Sequence, residues 1–237
     1  EQLTEMSLFD VSLNRLTKFN VNVEKWDMLI QLKLQYNNIT VVHPNVWKHH
    51  TIALLYVNSN KGLEMPNAEG EIYMPNLYNL DITNNSGWLP NKLGPGELPR
   101  LGLIDFSGNF PRDGKLPKEF DKLSNSVWSL SIARVGLSIL PEFLTTFKRL
   151  KYLDARNNSI ANISKGMSDY FTVQESRGTG FNIFLSGNPG RVNTGSLPLP
   201  ACAPICSDYC QIESYVGDGM CDFACDSQEC EFDGGDC

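Results

Sequence analysis

The chain has 237 residues, 41% apolar and 20% charged, which suits one or two folded domains and excludes a disordered tail. Its longest wholly apolar run, Ile52 to Val57, is far shorter than the roughly 20 residues that span a bilayer, so any membrane attachment would come only from regions outside this chain. The net charge of −7 argues against a nucleic-acid ligand, because phosphate binding needs an excess of Lys and Arg.

Charge and cysteine are unevenly distributed along the chain. Residues 201–237 contain nine acidic and no basic side chains, whereas residues 1–200 contain 20 basic and 18 acidic ones, a net charge of +2. All seven cysteines lie between Cys202 and Cys237. We therefore predict two domains, of residues 1–200 and 201–237.

A pattern of the form apolar-x-x-apolar-x-apolar-x-x-Asn runs through residues 1–200. We place the first copy at Leu8, Val11, Leu13 and Leu16. The later copies close at Asn37, Asn60, Asn85, Asn109, Val135, Asn158 and Asn188, in steps of 23, 25, 24, 26, 23 and 30 residues. Seven or eight copies at one period predict a solenoid in which each copy supplies one short strand and shares a continuous core with its neighbours.

This pattern resembles that of extracellular leucine-rich repeat proteins. The resemblance implies an α/β solenoid, a right-handed superhelix with a parallel β-sheet on its concave face. It also implies that the closing Asn side chains form a ladder of hydrogen bonds to the backbone. Val135 cannot make those bonds, so we expect a local irregularity there. Leu116 to Leu123 and Leu140 to Leu144 are expected to form short helical or irregular convex segments.

The family usually has a cysteine-rich N-terminal cap, and no cysteine precedes Cys202. Two explanations are open. Either the N-terminal stretch caps the sheet with Leu3, Leu8, Phe9 and Trp26, or a cap has been removed.

Residues on either side of each buried strand position are expected to point outwards from the concave sheet. They include aromatic and charged side chains, a combination that recognition surfaces use. Ordinary solvent exposure without a ligand is the alternative. The candidate ligand-binding residues are Lys33, Tyr56, Asp81, Asp105, Tyr152, Asp154, Arg156 and Phe184.

The seven cysteines predict disulfides, because zinc sites usually contain CxxC pairs and no two of these cysteines have that spacing. Disulfides imply an oxidising compartment, so we expect an extracellular or cell-surface protein. Four N-x-S/T sequons agree with this localisation and are candidate glycosylation sites: Asn38, Asn84, Asn157 and Asn162.

From Cys206 the spacing is C-x3-C-x10-C-x3-C-x4-C-x6-C, ending in Asp-Gly-Gly-Asp-Cys. This resembles the Lin-12/Notch repeat (LNR), a small disulfide module that binds Ca²⁺. The crowded carboxylates themselves favour a hard cation of this kind. The resemblance implies Asp218, Asp233 and Asp236 as calcium ligands, with Glu213 as a fourth.

The resemblance to the LNR also implies the bridges Cys206–Cys230, Cys210–Cys225 and Cys221–Cys237. Cys202 is then left over, unless Cys202 is the first cysteine of the module and Cys206 is unpaired.

No catalytic pattern accompanies these features. The sequence has no HExxH, P-loop, G-x-G-x-x-G opening a helix, or G-x-S-x-G motif. We interpret His49 and His50 as a chance surface pair, and we expect the protein not to be an enzyme.

Three functions are open at this point. The leading hypothesis is an extracellular recognition ectodomain that binds a protein, peptide or glycan on the concave face, with a calcium-stabilised module at its C-terminal end. The second is a calcium-dependent regulatory clamp that masks a cleavage site, as the resemblance to Notch implies. The third is an inert structural or adhesion spacer.

Overall fold

The computed structural model describes residues 5–66, 71–85, 97–111, 115–116, 118–178 and 180–188. Eight strands of three residues each form one parallel sheet, in which chain neighbours are also sheet neighbours. These strands are β1 (Leu8–Asp10), β3 (Gln31–Lys33), β5 (Leu54–Tyr56), β6 (Asn79–Asp81), β7 (Leu103–Asp105), β8 (Ser129–Ser131), β9 (Tyr152–Asp154) and β10 (Asn182–Phe184). Two shorter strands, β2 (Lys18–Phe19) and β4 (Val41–Val42), pair in parallel as a second sheet. The parallel sheet confirms the predicted solenoid architecture.

The middle residue of each long strand faces the core. In the long strands from β3 to β9, these middle residues are at most 3% exposed: Leu32, Leu55, Leu80, Ile104, Leu130 and Leu153. The residues that flank them are mostly half-buried. One such strand cannot cover its own apolar side, whereas stacked strands cover each other. Each fully buried Leu or Ile contributes roughly 1.5–3 kcal/mol. The common register therefore follows from the 23- to 30-residue period of the core positions.

Every repeat turns off its strand in the same way. Four residues after the core position, the backbone adopts a left-handed conformation with φ between +53° and +71°: Leu13, Tyr36, Ser59, Asn84, Gly108, Arg134, Asn157 and Gly187. A left-handed residue reverses the chain direction and places the next residue, normally the closing Asn, beneath the turn.

The closing Asn residues form the expected ladder. Asn85 accepts a hydrogen bond from the Asn60 backbone N–H through Oδ1 (2.7 Å). Its Nδ2 donates to the carbonyls of Val57 and Ile82, both at 3.1 Å. Asn109 repeats this arrangement on the next turn. Asn60 donates in the same way but accepts from the Ile39 N–H, two residues after the closing Asn37. The ladder therefore satisfies backbone groups that would otherwise be buried without partners.

At Val135 the ladder loses one rung, while the backbone stays regular. Strand β8 keeps its parallel register with both neighbours, and Arg134 has the same positive φ as its counterparts. The Val135 N–H still donates to Asn158 Oδ1 (3.1 Å), and its side chain is buried. The expected irregularity is thus limited to the missing side-chain amide.

The expected position of the first repeat was wrong by two residues. Phe9, not Val11, pairs with Leu32, and Leu8 and Leu13 are 46% and 77% exposed. The true copy is Met6, Phe9, Val11 and Asn14. Counting leucines selected the wrong frame, because this repeat fills its core positions with Met, Phe and Val.

Aromatic side chains pack together at the first repeat. The Phe9 ring lies 5.1 Å from that of Trp26 and 6.1 Å from that of Phe19, between ring centroids. Phe9 and Trp26 thus belong to the core, whereas Leu8 is exposed, and the capping role of this stretch stays a prediction. Leu3 lies outside the described residues.

Short helices occupy part of the convex side. Among the described residues, 3₁₀ helices cover Pro44–Lys48, Lys118–Leu123 and Glu142–Thr146, and the last two confirm the expected convex segments. The sequence analysis did not predict helix α1 (Lys165–Ser176), which occupies the 30-residue step and buries Met167 and Phe171. Within the part of the chain described, no helix has the length and apolarity needed to cross a membrane.

Candidate functional site

The sheet presents its outward side chains in columns, which together we call the open face. One column contains Asp10, Lys33, Tyr56, Asp81, Asp105, Ser131, Asp154 and Phe184 in continuous register. Tyr152 lies in the column before it, and Arg156 follows two residues after Asp154 on the same face. All eight predicted ligand-binding residues therefore share this face. Strands about 4.8 Å apart separate Tyr56 from Tyr152 by roughly 19 Å, so the residues form distinct groups rather than one pocket.

The C-terminal group joins four of the predicted residues. Arg156 binds Asp154 through two hydrogen bonds, Nε to Oδ1 (2.9 Å) and Nη2 to Oδ2 (2.7 Å). The guanidinium carbon lies 5.7 Å from the centroid of the Phe184 ring, and the Tyr152 ring packs on Phe184 at 5.0 Å. The Arg156 and Asp154 side chains are only 13% and 6% exposed. The planar bidentate pair and the aromatic contacts hold the group in one arrangement before any ligand arrives.

The electrostatics of this group keep the Arg156 guanidinium charged and the Tyr152 hydroxyl protonated. The hydrogen bonds that Arg156 donates to the Asp154 carboxylate raise the pKa of Arg156, so the guanidinium stays charged. Burial, followed by the nearby Asp154 carboxylate, raises the pKa of Tyr152, so its hydroxyl remains protonated. The group therefore offers a neutral hydroxyl, aromatic surface and a paired cation.

The central group is acidic. Asp81 accepts hydrogen bonds at Oδ1 from the Thr83 N–H (3.0 Å) and hydroxyl (2.6 Å), and Asp105 accepts one from the Ser107 N–H (2.9 Å). Burial, with a smaller contribution from neighbouring Asp105, raises the pKa of Asp81. The Tyr56 hydroxyl accepts a weak bond from Asn79 Nδ2 at 3.4 Å. The Asp-x-polar arrangement thus anchors each carboxylate to its own turn.

The N-terminal group contains a residue that the sequence analysis missed. Lys33 Nζ lies 3.5 Å from Asp10 Oδ2 on the adjacent strand. Hydrogen bonds from Ser12 lower the pKa of Asp10. The misplaced first repeat concealed Asp10. Its Asp-x-Ser pattern, which matches Asp105-x-Ser107, could have revealed it.

Two further residues of the open face each have a buried side-chain oxygen that accepts no hydrogen bond from the residues described. Gln35 Oε1 and Asn58 Oδ1 have no hydrogen-bond partner in the structure described. They lie at equivalent positions of adjacent repeats, three residues after the core position. In the sequence, only this shared position within the repeat could have identified them.

The four sequon asparagines, Asn38, Asn84, Asn157 and Asn162, are all exposed. Their modification stays a prediction. Asn84 and Asn157 occupy left-handed turn positions, and their side chains cover Gly108 and Gly187 of the following repeats. A Cβ at either glycine would collide with the asparagine amide.

One histidine interpretation was wrong. His49 is only 2% exposed, and its Nε2 lies 3.0 Å from the Val23 carbonyl oxygen, to which it donates. Its Nδ1 accepts from the Thr51 N–H at 3.4 Å. Burial lowers the pKa of His49, so it is a neutral core residue rather than a surface one. His50 stacks on it from the exposed side.

The predicted calcium ligands and disulfides, together with Cys202, lie outside the described residues. They are the ligands Asp218, Asp233, Asp236 and Glu213, and the cysteines Cys206, Cys230, Cys210, Cys225, Cys221 and Cys237. Within the described ranges, no group of three or more His, Cys, Asp or Glu side chains could hold a metal ion.

Comparisons with known proteins found one family model and several solved structures that are similar to parts of this chain. Residues 200–237 match the family model "Notch: LNR domain". A leucine-rich repeat protein from Bacteroides eggerthii superimposes with a TM-score of 0.44 and 19% identity, over 68% of this chain and 33% of that one. A second, from Leptospira interrogans, gives 0.42 and 19%, over 83% and 59%. This chain thus spans less than two thirds of either protein. No curated protein matches it.

The period, the parallel register and the asparagine ladder give the described repeats the architecture of a leucine-rich repeat solenoid. The chain therefore combines a solenoid of this pattern with a C-terminal segment, residues 200–237, that matches the LNR domain model.

Proposed function

We propose that this chain is an extracellular recognition ectodomain that binds a protein or peptide on the open face of its repeat sheet. Leucine-rich repeats and LNR domains are generally protein-interaction modules and typically are not catalytic. The LNR domain would form a calcium-stabilised, disulfide-bonded module at the C-terminal end of the solenoid.

The group of Tyr152, Phe184, Arg156 and Asp154 carries this proposal. Tyr and Arg are enriched among the residues that dominate binding energy, because they offer large contact area and directional bonds. Here they are already ordered by the bidentate pair and the ring packing. Binding would therefore cost little side-chain entropy.

The acidic central group gives the same face a second property. Asp81 and Asp105 lie side by side on adjacent strands. A ligand that placed a basic side chain there would relieve their mutual repulsion. We therefore expect the preferred peptide to combine an apolar or aromatic residue with a basic one.

We propose that the LNR domain binds calcium. Asp218, Asp233, Asp236 and Glu213 would hold the ion, since carboxylate oxygens are the ligands that Ca²⁺ prefers. When bound, the ion would neutralise part of a segment that carries nine negative charges and no positive one. So small a module has few apolar side chains and needs such stabilisation.

A random peptide library displayed on phage tests the recognition surface. We expect enriched peptides to lose more than about tenfold in affinity, which is about 1.4 kcal/mol, for the double variant Tyr152→Ser/Phe184→Ser. The matched control is Tyr73→Ser/Phe110→Ser. Its aromatic side chains are 54% and 72% exposed but lie outside the strands of the sheet, so binding should not change.

Unfolding midpoints of both double variants must be compared with that of the wild type, so that lost binding is not confused with lost structure. Equal binding by both double variants would exclude the open face as the recognition surface. The spacer hypothesis would then be favoured. If the chain bound glycans on an array but enriched no peptide, the ligand would be a glycan, and the open face would still be the proposed binding surface.

A further inference from the structure

A cleft of ≈ 590 Å³ lies beside the sheet, at the end where the strands β8 and β9 begin. It is lined by Trp128, Lys148, Arg149, Leu150, Lys151 and Gln174. These residues precede the strands or belong to α1, so the cleft is separate from the open face. Its lining includes three basic side chains and no acidic one.

The basic side chains project from a fixed backbone. The Lys148 N–H donates to the Ser124 carbonyl at 3.0 Å, and the Lys151 N–H donates to the Trp128 carbonyl at 2.8 Å. Leu150 beneath them is buried, whereas Lys148, Arg149 and Lys151 are exposed. None of the three pairs with a carboxylate in the part of the chain described. The cleft therefore combines an apolar floor with three uncompensated positive charges.

The same chain contains a segment of opposite charge. Residues 201–237 carry nine carboxylates and no basic side chain, against a net charge of +2 for residues 1–200. Four of those carboxylates are the proposed calcium ligands. Five others are outside that proposed ligand set: Asp208, Asp222, Asp226, Glu229 and Glu231.

Chain length allows the segment to reach the cleft. Residue 201 lies thirteen positions after Asn188, and an extended chain covers about 3.3 Å per position, or roughly 43 Å in all. Strand β10 is hydrogen-bonded to β9, whose N-terminal end borders the cleft. From Asn188 back along β10 to that edge is roughly 20 Å. A tether of this length gives an effective concentration of about a millimolar, so weak charge pairing suffices for docking.

We propose that the acidic segment 201–237 docks in this basic cleft of its own solenoid. The docking would place the LNR domain against the side of repeats β8 to β10 and leave the open face accessible. This inference goes beyond the proposed recognition function and does not depend on it.

Zero-length carbodiimide cross-linking of the full chain, followed by peptide mass spectrometry, tests the proposal. The segment has no lysine, so each link between it and a lysine must join it to residues 1–200. We expect Lys148 and Lys151 to be linked several times more often than Lys118, which is exposed on the convex side. The preference should disappear in about 1 M salt, where charges are screened within about 3 Å.

An equimolar mixture of ¹⁴N- and ¹⁵N-labelled chains separates links within one chain from links between two. Links within one chain support the proposal. Mixed-isotope links would show that a second copy occupies the cleft, and equal linking of Lys118 would show no docking; either result overturns it.

Matched charge variants of the full chain complete the test. The first triple variant is Lys148→Gln/Arg149→Gln/Lys151→Gln, which removes the positive charge of the cleft. It should prevent docking and so expose Trp128 to an aqueous quencher. Arg15→Gln/Lys25→Gln/Lys118→Gln removes the same charge from exposed positions elsewhere and should leave Trp128 as protected as in the wild type. Equal quenching in both variants would contradict the proposal.

Discussion

Replacing Asn85 by Ala removes one complete rung of the asparagine ladder. The Asn60 N–H loses its acceptor, Oδ1 of Asn85 at 2.7 Å, and is left buried without a partner. That loss costs about 1–3 kcal/mol. The carbonyls of Val57 and Ile82 each lose one bond but keep another, from Nδ2 of Asn60 and Asn109 respectively. Their loss adds about 1 kcal/mol, so we expect about 2–4 kcal/mol in total.

Asn14→Ala is the matched control, because Asn14 occupies the same repeat position at the end of the ladder. It is exposed and donates only to the carbonyls of Val11 (3.1 Å) and Ser12 (2.8 Å). We expect a cost of about 0.5–1 kcal/mol. Urea unfolding followed by tryptophan fluorescence measures both variants, through the shift in midpoint at constant m-value. If Asn85→Ala costs no more than Asn14→Ala, the ladder does not contribute to stability in this way.

Three further predictions follow from other parts of the molecule. His49 is more easily protonated in the unfolded chain, because burial lowers its pKa in the folded one. Stability should therefore fall as the pH drops below about 6.5, and His49→Gln should flatten that slope in unfolding curves measured between pH 7 and 5. Gly102→Ala should destabilise the fold by about 1–3 kcal/mol, because a Cβ there would lie 2.7 Å from Trp128 Nε1. The tryptophan emission maximum should shift in the same variant. Unchanged stability would show that Trp128 does not pack tightly against Gly102. Calorimetry of the oxidised chain should show stoichiometric calcium binding that Asp233→Ala abolishes; undiminished binding would exclude Asp233 as a ligand.

The sheet and the open face were predictable because the repeat period reports directly on the core. Each buried Leu or Ile between β3 and β9 recurs at a fixed place in the pattern, and outward residues alternate with it. The pairing of Asp154 with Arg156 is a consequence of that alternation. Residues two positions apart lie on the same face of a strand, so a carboxylate and a guanidinium there can meet.

Features that depend on exceptions to the period could not be predicted in the same way. The first repeat was misplaced because Met6, Phe9 and Val11 fill positions that leucine fills elsewhere. Helix α1 was missed, although the 30-residue step left room for it. Burial of His49 depends on a carbonyl group 26 residues away, a contact that local sequence does not report.

Photo-cross-linking of a library-enriched peptide tests the central claim, that the open face binds the ligand, most directly. A photoreactive phenylalanine analogue replaces Phe184 on the open face in one variant and the 72% exposed Phe110 in another. We expect irradiation to link the peptide at position 184 and not at position 110. Linking at position 110 alone, or at both positions equally, would contradict it.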